Sequence, residues 1–287
     1  MNWILASLLM FVFSVLLYVL IRKASLEKIP NSLINLASFL IPLFLYIPIG
    51  LYNKISFIPT IFQFFILLLL GIFCCYLGNI ASLLSIKFAP NPGYSLIISK
   101  SYVVLTTIVA ILFFHSSLSL TATIGIISII LFSILIMTGK NKTIKKSNPL
   151  WLPLSFGAFF AWGILTIGMK FLFTTGVGTI QLLIILAIIV SLIIIIEIVI
   201  TKAPAFKINR SSLVLLISIG VFSGLFNYFL IVAISKTPNI GYVSAINAAS
   251  ISAVTLCSHI FFRDELTISK IIGIMGVTGG LIVLLIT

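Results

Sequence analysis

Long apolar stretches alternate with short polar ones along the whole chain. A membrane-spanning helix needs about 20 predominantly apolar residues to cross a hydrocarbon core of about 30 Å. Ten stretches reach that length, and the loops between them are too short to form a soluble domain. We call them spans 1 to 10, with approximate bounds 2–22, 31–51, 61–86, 93–114, 120–138, 151–172, 178–200, 211–235, 240–262 and 267–286. The pattern predicts an all-α integral membrane protein with ten transmembrane helices.

Composition supports this prediction. The chain has 287 residues, of which 61% are hydrophobic and 7% are charged, whereas soluble domains carry about 25% charged residues. Cys74, Cys75 and Cys257 lie inside spans without the spacing of metal ligands, and no nucleotide-binding loop is present. We therefore expect no cofactor and no metal. The expected partners are a small-molecule substrate and the lipid bilayer, with the protein a monomer or a homodimer.

The net charge of +13 is concentrated in the loops and at the span ends. Such cations face the cytoplasmic leaflet and set orientation, so they do not predict nucleic-acid binding. Loops after odd-numbered spans hold 13 Lys and Arg residues, and those after even-numbered spans hold Lys54, Lys170 and Lys236. The charge bias therefore places both termini outside the cytoplasm.

The chain also repeats itself at an offset of 148 residues. Corresponding positions include Trp3 and Trp151, Asn79 and Asn227, and PNPGY (Pro90–Tyr94) with PNIGY (Pro238–Tyr242). The offset predicts a first five-helix repeat at residues 1–139, a basic linker at 140–149 and a second repeat at 150–287. Because five is odd, the second repeat enters the membrane in the opposite sense. Such inverted repeats are typical of secondary transporters, whose substrate site lies near the midplane between the halves.

Three motifs carry a resemblance to a known family. They are WGILTIGMK (Trp162–Lys170), the stretch TPNIGYVSAINAASISAVTLCSHIFFRDELT (Thr237–Thr267), which ends in the FFRDELT turn (Phe261–Thr267), and the Gly-rich IIGIMGVTGGLIVLL (Ile271–Leu285). They resemble the EamA family of the drug/metabolite transporter superfamily. The resemblance covers the whole chain but is clearer in the second half, since the first half has Ser14 and Arg22 at the positions that correspond to Trp162 and Lys170. It implies alternating-access transport of small metabolites or drugs. It also implies that both termini lie in the cytoplasm, whereas the charge bias places them outside. We prefer the orientation given by the charge bias, because that bias is a property of this chain.

Lys100 is the strongest candidate for substrate binding. It lies inside span 4 on a polar stripe, and its repeat equivalent is the uncharged Ala248. An ammonium at such depth costs about 2.5–3.5 kcal/mol and usually faces a cavity or a partner. We expect it to bind an anionic substrate group as a point charge. The alternative is snorkelling, or pairing with a carbonyl at a helix end.

The other candidates are polar or aromatic residues inside spans. They are Ser99, Tyr102, Asn79, Asn227, Asn247 and Trp162. For each the alternative is packing, because buried amides join helices and aromatic side chains fill bundles. No residue is predicted to be catalytic.

Acidic residues are rare, and two of the four are adjacent in the FFRDELT turn. Asp264 and Glu265 precede a helix N-terminus, whose dipole favours anions, and Arg263 and Lys270 are their neighbours in sequence. We interpret them as residues that cap and orient a loop, the alternative being ion coupling. Thr267, and Ser119 in the first half, are the predicted N-caps. Glu197 is interpreted as an interfacial partner of Lys202 or Lys207, the alternative being a proton relay.

The predicted function is secondary transport by alternating access through a central cavity. The solute is a small metabolite, amino acid-like or another polar or anionic compound, or a drug. The predicted location is the cell membrane, inner or plasma. The alternatives are a multidrug or toxic-compound exporter of the same superfamily, a non-transporting membrane subunit and an integral membrane enzyme.

Overall fold

The computed structural model describes residues 1–89, 92–138, 148–201 and 209–286. Residues 140–147 of the predicted linker lie outside the described residues. The helices are α1 Trp3–Leu26, α2 Asn31–Tyr52, α3 Ile61–Leu69, α4 Gly78–Phe88, α5 Pro92–Lys100, α6 Tyr102–Phe114, α7 Leu120–Met137, α8 Trp151–Thr174, α9 Thr179–Ile200, α10 Arg210–Lys236, α11 Ile240–Phe262 and α12 Ile268–Leu285. A π-helix, Leu70–Leu77, joins α3 to α4.

The helices form ten crossings that are long and apolar enough to span a membrane. The prediction of ten transmembrane helices is confirmed, and the protein is a multi-pass integral membrane protein. Span 3 consists of α3, the π-helix and α4, and span 4 consists of α5 and α6. The other eight spans are single helices.

The helix ends follow the 148-residue offset of the sequence. α1 and α8 are both 24 residues long and begin at Trp3 and Trp151, and α7 and α12 are both 18 residues long. The turn before each of the latter two contains a left-handed residue, His115 (φ 50°) or Arg263 (φ 57°). Ser119 and Thr267 then cap the helices, each accepting a hydrogen bond from the backbone three residues on. The predicted N-caps are confirmed.

Successive helices cross the bundle in opposite directions, because short connections return the chain. The start of α1 and the end of α12 lie on one side, here called the terminal side. The connection from α7 to α8 lies on the other, here called the linker side. Hydrogen bonds agree with this placement: Gln63 Nε2 donates to the Thr175 carbonyl on the terminal side (2.9 Å). On the linker side the Asn148 N–H donates to the Phe88 carbonyl (3.2 Å).

The last helix of each half packs against its counterpart through glycines. A Cβ atom at Gly280 of α12 would lie 3.0 Å from the Gly125 carbonyl oxygen of α7, and one at Gly276 would enter the Phe132 ring. The contact is therefore backbone to backbone at one point, as small residues four apart permit. Spans 5 and 10 therefore pack together.

Gly280→Leu is expected to destabilise the fold by about 1–3 kcal/mol, the usual cost of overpacking, because backbone atoms of α7 block the new side chain. Gly279→Leu is the matched control, since a Cβ atom there meets nothing within 4 Å. Thermal unfolding of both variants in detergent measures the difference. Equal melting temperatures would contradict the close approach of the two helices.

Two crossings of the first half are less regular than their counterparts. Span 3 contains the π-helix, whereas α10 is a regular α-helix, and span 3 begins one residue earlier than its counterpart, while Asn79 and Asn227 keep the 148-residue offset. Span 4 is interrupted at Ser101, where the Val104 N–H bonds the Ser101 carbonyl three residues back (2.9 Å). The sequence pattern predicts unbroken spans here, because apolar residues surround both irregularities and leave no mark in the hydropathy.

Candidate functional site

A cavity of about 230 Å³ lies between the two halves. Its walls come from α1, α2, span 3 and span 4 of the first half and from α8 to α11 of the second. Six of the seven predicted substrate-binding residues line it: Lys100, Tyr102, Asn79, Asn227, Asn247 and Trp162. The structure thus brings together, at one place, side chains separated by up to 168 residues in sequence. Their role in binding stays a prediction.

The interruption of span 4 places both Lys100 and Tyr102 on the cavity. Residues two apart in a continuous α-helix do not share a face, but the hydrogen-bond pattern changes at Ser101 between them, where the Val104 N–H bonds three residues back. Lys100 Nζ lies 5.7 Å from the centroid of the Tyr18 ring, a cation–π distance. Among the described residues that line the cavity, none is acidic. The site therefore carries one fixed positive charge.

Each of the three predicted amides has a hydrogen-bond partner that orients it. Asn79 Nδ2 donates to Asn35 Oδ1 (3.1 Å), Asn227 Nδ2 to the Ser223 carbonyl (2.9 Å), and Asn247 Nδ2 to the Tyr102 hydroxyl (3.1 Å). The last bond joins the two halves across the cavity. These contacts leave other amide atoms available to a ligand.

Ser99 does not line the cavity, contrary to the prediction. It is buried, and its hydroxyl donates to the Leu96 carbonyl (3.2 Å) within its own helix. Its neighbour Lys100 takes the cavity-facing position at the end of α5, so Ser99 faces packed helices.

Several cavity residues were not predicted to bind substrate, among them Asn35, Ser38, Tyr46 and Thr166. Asn35 and Ser38 are polar residues three positions apart in an apolar helix, a spacing that places them on one face. That spacing is the signal that identifies them. The Tyr46 hydroxyl donates to the Gly224 carbonyl (2.6 Å), so this buried side chain has a structural role in joining α2 to α10 as well as a place on the cavity wall.

The bundle is closed on the terminal side. Ile180–Ala187 of α9, Ile231–Ile234 of α10 and Ile240–Ser250 of α11 are buried at every position, and all three stretches lie at terminal-side ends. The linker-side half of α11 is largely exposed or half-buried. The cavity residues Tyr18, Asn35 and Asn79 toward the linker side are also partly exposed. The cavity therefore opens toward the linker side.

Hydrogen bonds between the halves reinforce the closed side. Besides Gln63 and Thr175, the Tyr242 hydroxyl donates to the Ser117 carbonyl (3.4 Å) and Lys236 Nζ to the Met1 carbonyl (3.0 Å). Tyr242 also packs on Trp3, with ring centroids 5.7 Å apart. These contacts join the terminal-side ends of five helices.

Lys170, the last residue of the WGILTIGMK motif, caps a helix C-terminus. Its Nζ donates to the carbonyls of Ile234 (3.1 Å) and Thr237 (3.0 Å) at the end of α10. A cation is favourable there because the helix dipole is negative at its C-terminus. Lys170 therefore holds α8 to α10 at the closed end, outside the cavity.

The open side has a sparser set of contacts. Arg22, the repeat equivalent of Lys170, forms an ion pair with Asp264 (3.5 Å), and both side chains are more than 40% exposed. The sequence places Arg263 and Lys270 beside this turn, and the partner from the other half was not predicted. The Glu265 carbonyl accepts a bond from Lys270 Nζ (2.8 Å). The predicted partners of Glu197, Lys202 and Lys207, lie outside the described residues.

Comparison with known protein families gives a match over the second half of the chain. Residues 149–286 match the EamA-like transporter family. The second half of the chain belongs to this family. The match confirms the resemblance seen in the motifs, and it includes Trp162 at the cavity and Lys170 at the closed end of this EamA-like half. With the ten membrane-spanning helices, it makes the protein a membrane transporter of the drug/metabolite type.

Solved structures share the fold of the whole chain, including the half outside the family match. There are 29 matching chains. One, a crystal structure of a protein, superposes with a TM-score of 0.80 at 14% identity, covering 97% of this chain and 95% of its own. At this identity the likeness shows the fold alone. No curated protein matches the chain.

Proposed function

We propose that the protein is a secondary transporter that moves a small organic anion through the central cavity by alternating access. The observation that carries the proposal is the position of Lys100 in a cavity between the two halves. Its ammonium attracts an anionic group at the depth where inverted-repeat transporters bind substrate. Asn79, Asn227 and Asn247 supply uncharged polar contacts, and Trp162 supplies an aromatic surface.

The charge of the cavity supports an anionic or zwitterionic substrate over a cationic drug. Lys100 is the one charged side chain among the described residues of the cavity wall. A cationic ligand would meet like charge without a carboxylate to offset it. An anion, in contrast, restores neutrality inside a poorly solvated site.

The size of the cavity supports a small solute. Its volume of about 230 Å³ is below the range of about 300–1,000 Å³ in which drug-sized ligands are bound. A compact metabolite fits this conformation better than a polyaromatic drug does. This observation favours the metabolite transporter over the multidrug exporter of the same superfamily.

The closed terminal side and open linker side support alternating access. One access route is sealed by packed helices while the other reaches the cavity, which is one end state of the cycle. With the charge bias of the loops, the open mouth faces the cytoplasm and the transporter lies in the cell membrane. Exchange, or movement down a gradient, is the expected mode of transport, because this sequence has no nucleotide-binding loop and no carboxylate lies among the described residues of the cavity wall.

Purified protein in liposomes is expected to show saturable exchange of small carboxylic acids. Vesicles are loaded with a mixture of unlabelled two- to six-carbon acids and given the radiolabelled acids outside. Accumulation of labelled acid inside, while unlabelled acid leaves the vesicles, shows carrier-mediated exchange. Ethidium, a drug-sized cation, is expected not to move.

Protein-free vesicles measure leakage of the acids through the lipid. Vesicles with the Gly279→Leu variant, which is expected to keep the wild-type fold, show that a neutral substitution leaves the flux unchanged. Ethidium flux without acid flux would support the multidrug exporter. Absence of any flux would support the non-transporting subunit or an enzyme.

A further inference from the structure

One buried polar atom on the cavity wall has no hydrogen-bond partner. Among the described residues, four buried side-chain atoms lack a partner: Ser133 Oγ, Ser191 Oγ, Asn239 Nδ2 and Asn247 Oδ1. Of these residues only Asn247 lines the central cavity. Asn247 is 7% exposed, so its free oxygen lies deep in the wall.

The orientation of this amide is fixed from its other end. Asn247 Nδ2 donates to the Tyr102 hydroxyl at 3.1 Å, which leaves Oδ1 as the atom available to a ligand. Tyr102 follows Lys100 by two residues across the interruption at Ser101. The free oxygen and the Lys100 ammonium thus both belong to the wall of one cavity of metabolite size.

An acceptor and a cation in one cavity impose two demands on a ligand. A buried acceptor that has no donor costs free energy. A ligand that donates a hydrogen bond to this oxygen therefore gains affinity over one that cannot. A ligand that donates to Asn247 while its anionic group faces Lys100 meets both demands.

We propose that Asn247 is a specificity-determining residue that selects organic anions with a hydrogen-bond donor close to the acid group. The class comprises 2-hydroxy and 2-amino acids, as opposed to simple carboxylates. The inference rests on the proposed anion site and adds a second recognition element to it. It also explains why the amide is asymmetric in the protein, since its repeat equivalent is Ser99, which faces away from the cavity.

The test compares acids that differ only in the donor. The probes are butanoate, 2-hydroxybutanoate and 2-aminobutanoate, with the corresponding 3-phenylpropanoate series. Occupancy is read as protection of the full-length protein from thermal unfolding in detergent, since a ligand that binds the folded state stabilises it. The donor-bearing acids are expected to protect at about tenfold lower concentration than the plain acids, the effect of one hydrogen bond.

Asn247→Leu should bring the ratio of the protecting concentrations of plain and donor-bearing acids to about one, and saturable protection by any of the acids shows that the variant folds. Equal protection by all three acids of each series in the wild type would overturn the inference, and this comparison needs no variant. Lys100→Met separates the two proposals, because it should weaken every acid alike. If plain acids bind and depend on Lys100 but donors add nothing, the anion site stands and the role of Asn247 fails. If no acid protects the protein at any concentration, both fail.

Discussion

Lys100→Met is expected to reduce the exchange of organic anions at least about 30-fold. Methionine keeps the length and much of the volume of lysine but removes the one charge on the described cavity wall. Loss of one partner from a buried charge pair costs about 2–5 kcal/mol, and each 1.4 kcal/mol is a factor of ten. Initial rates in proteoliposomes, at acid concentrations below saturation, measure the loss.

Two further variants separate charge from geometry. Lys100→Arg keeps the charge on a larger, planar group and should retain part of the flux, because an anion can still be attracted. Lys23→Met removes an exposed cation from the end of α1 and should leave flux unchanged. Wild-type flux in Lys100→Met would show that the ammonium does not bind substrate and only extends to a polar environment, as the snorkelling alternative predicts.

The sequence predicts the helices well because hydropathy alone sets their length. The second-half bounds differ from the prediction by at most two residues, and the caps at Ser119 and Thr267 are as expected. Lys100 stands out because a cation inside an apolar span is costly, and a costly residue needs a reason. These features depend on residues close together in sequence, so a single sequence is enough to predict them.

The remaining site features depend on contacts between distant segments. The pairing of Arg22 with Asp264 joins residues from opposite halves, and no pattern within either segment indicates it. The interruption at Ser101 is also invisible, although it decides which side chains of span 4 reach the cavity. Ser99 was placed on the wrong face because the prediction assumed an unbroken helix.

Under the proposed alternating access, the repeat predicts the contacts of a second conformation. In an inverted-repeat transporter the two halves exchange local structures when the open side changes. Contacts that now close the terminal side should then form between the equivalent residues on the linker side. Tyr242, 6% exposed and bonded to Ser117, corresponds to Tyr94, which is 41% exposed, and Ser117 corresponds to Glu265. The FFRDELT turn would thus receive Tyr94 as the linker side closes.

Lys170 and Arg22 obey the same exchange. Lys170 now caps α10 at the closed end, whereas Arg22 pairs with Asp264 at the open end. The equivalent acceptors for Arg22 are the carbonyls of Ile86 and Ala89 at the end of α4. Closure would move Arg22 from the exposed carboxylate to these helix-end carbonyls, where the dipole favours a cation. Asp264 would then act as the partner that holds Arg22 in the open state.

A cross-link between positions 94 and 265 is expected to form during the cycle and to abolish transport. Tyr94→Cys and Glu265→Cys are combined in protein without native cysteines and treated with a short bifunctional thiol reagent in proteoliposomes. Flux should fall to the level of protein-free vesicles, because a protein fixed in one end state cannot complete an exchange, and a reductant that cleaves the link should restore it. Each single-cysteine variant, treated alike, should keep its flux. Active transport by the double variant without any cross-link would show that the halves do not exchange their contacts.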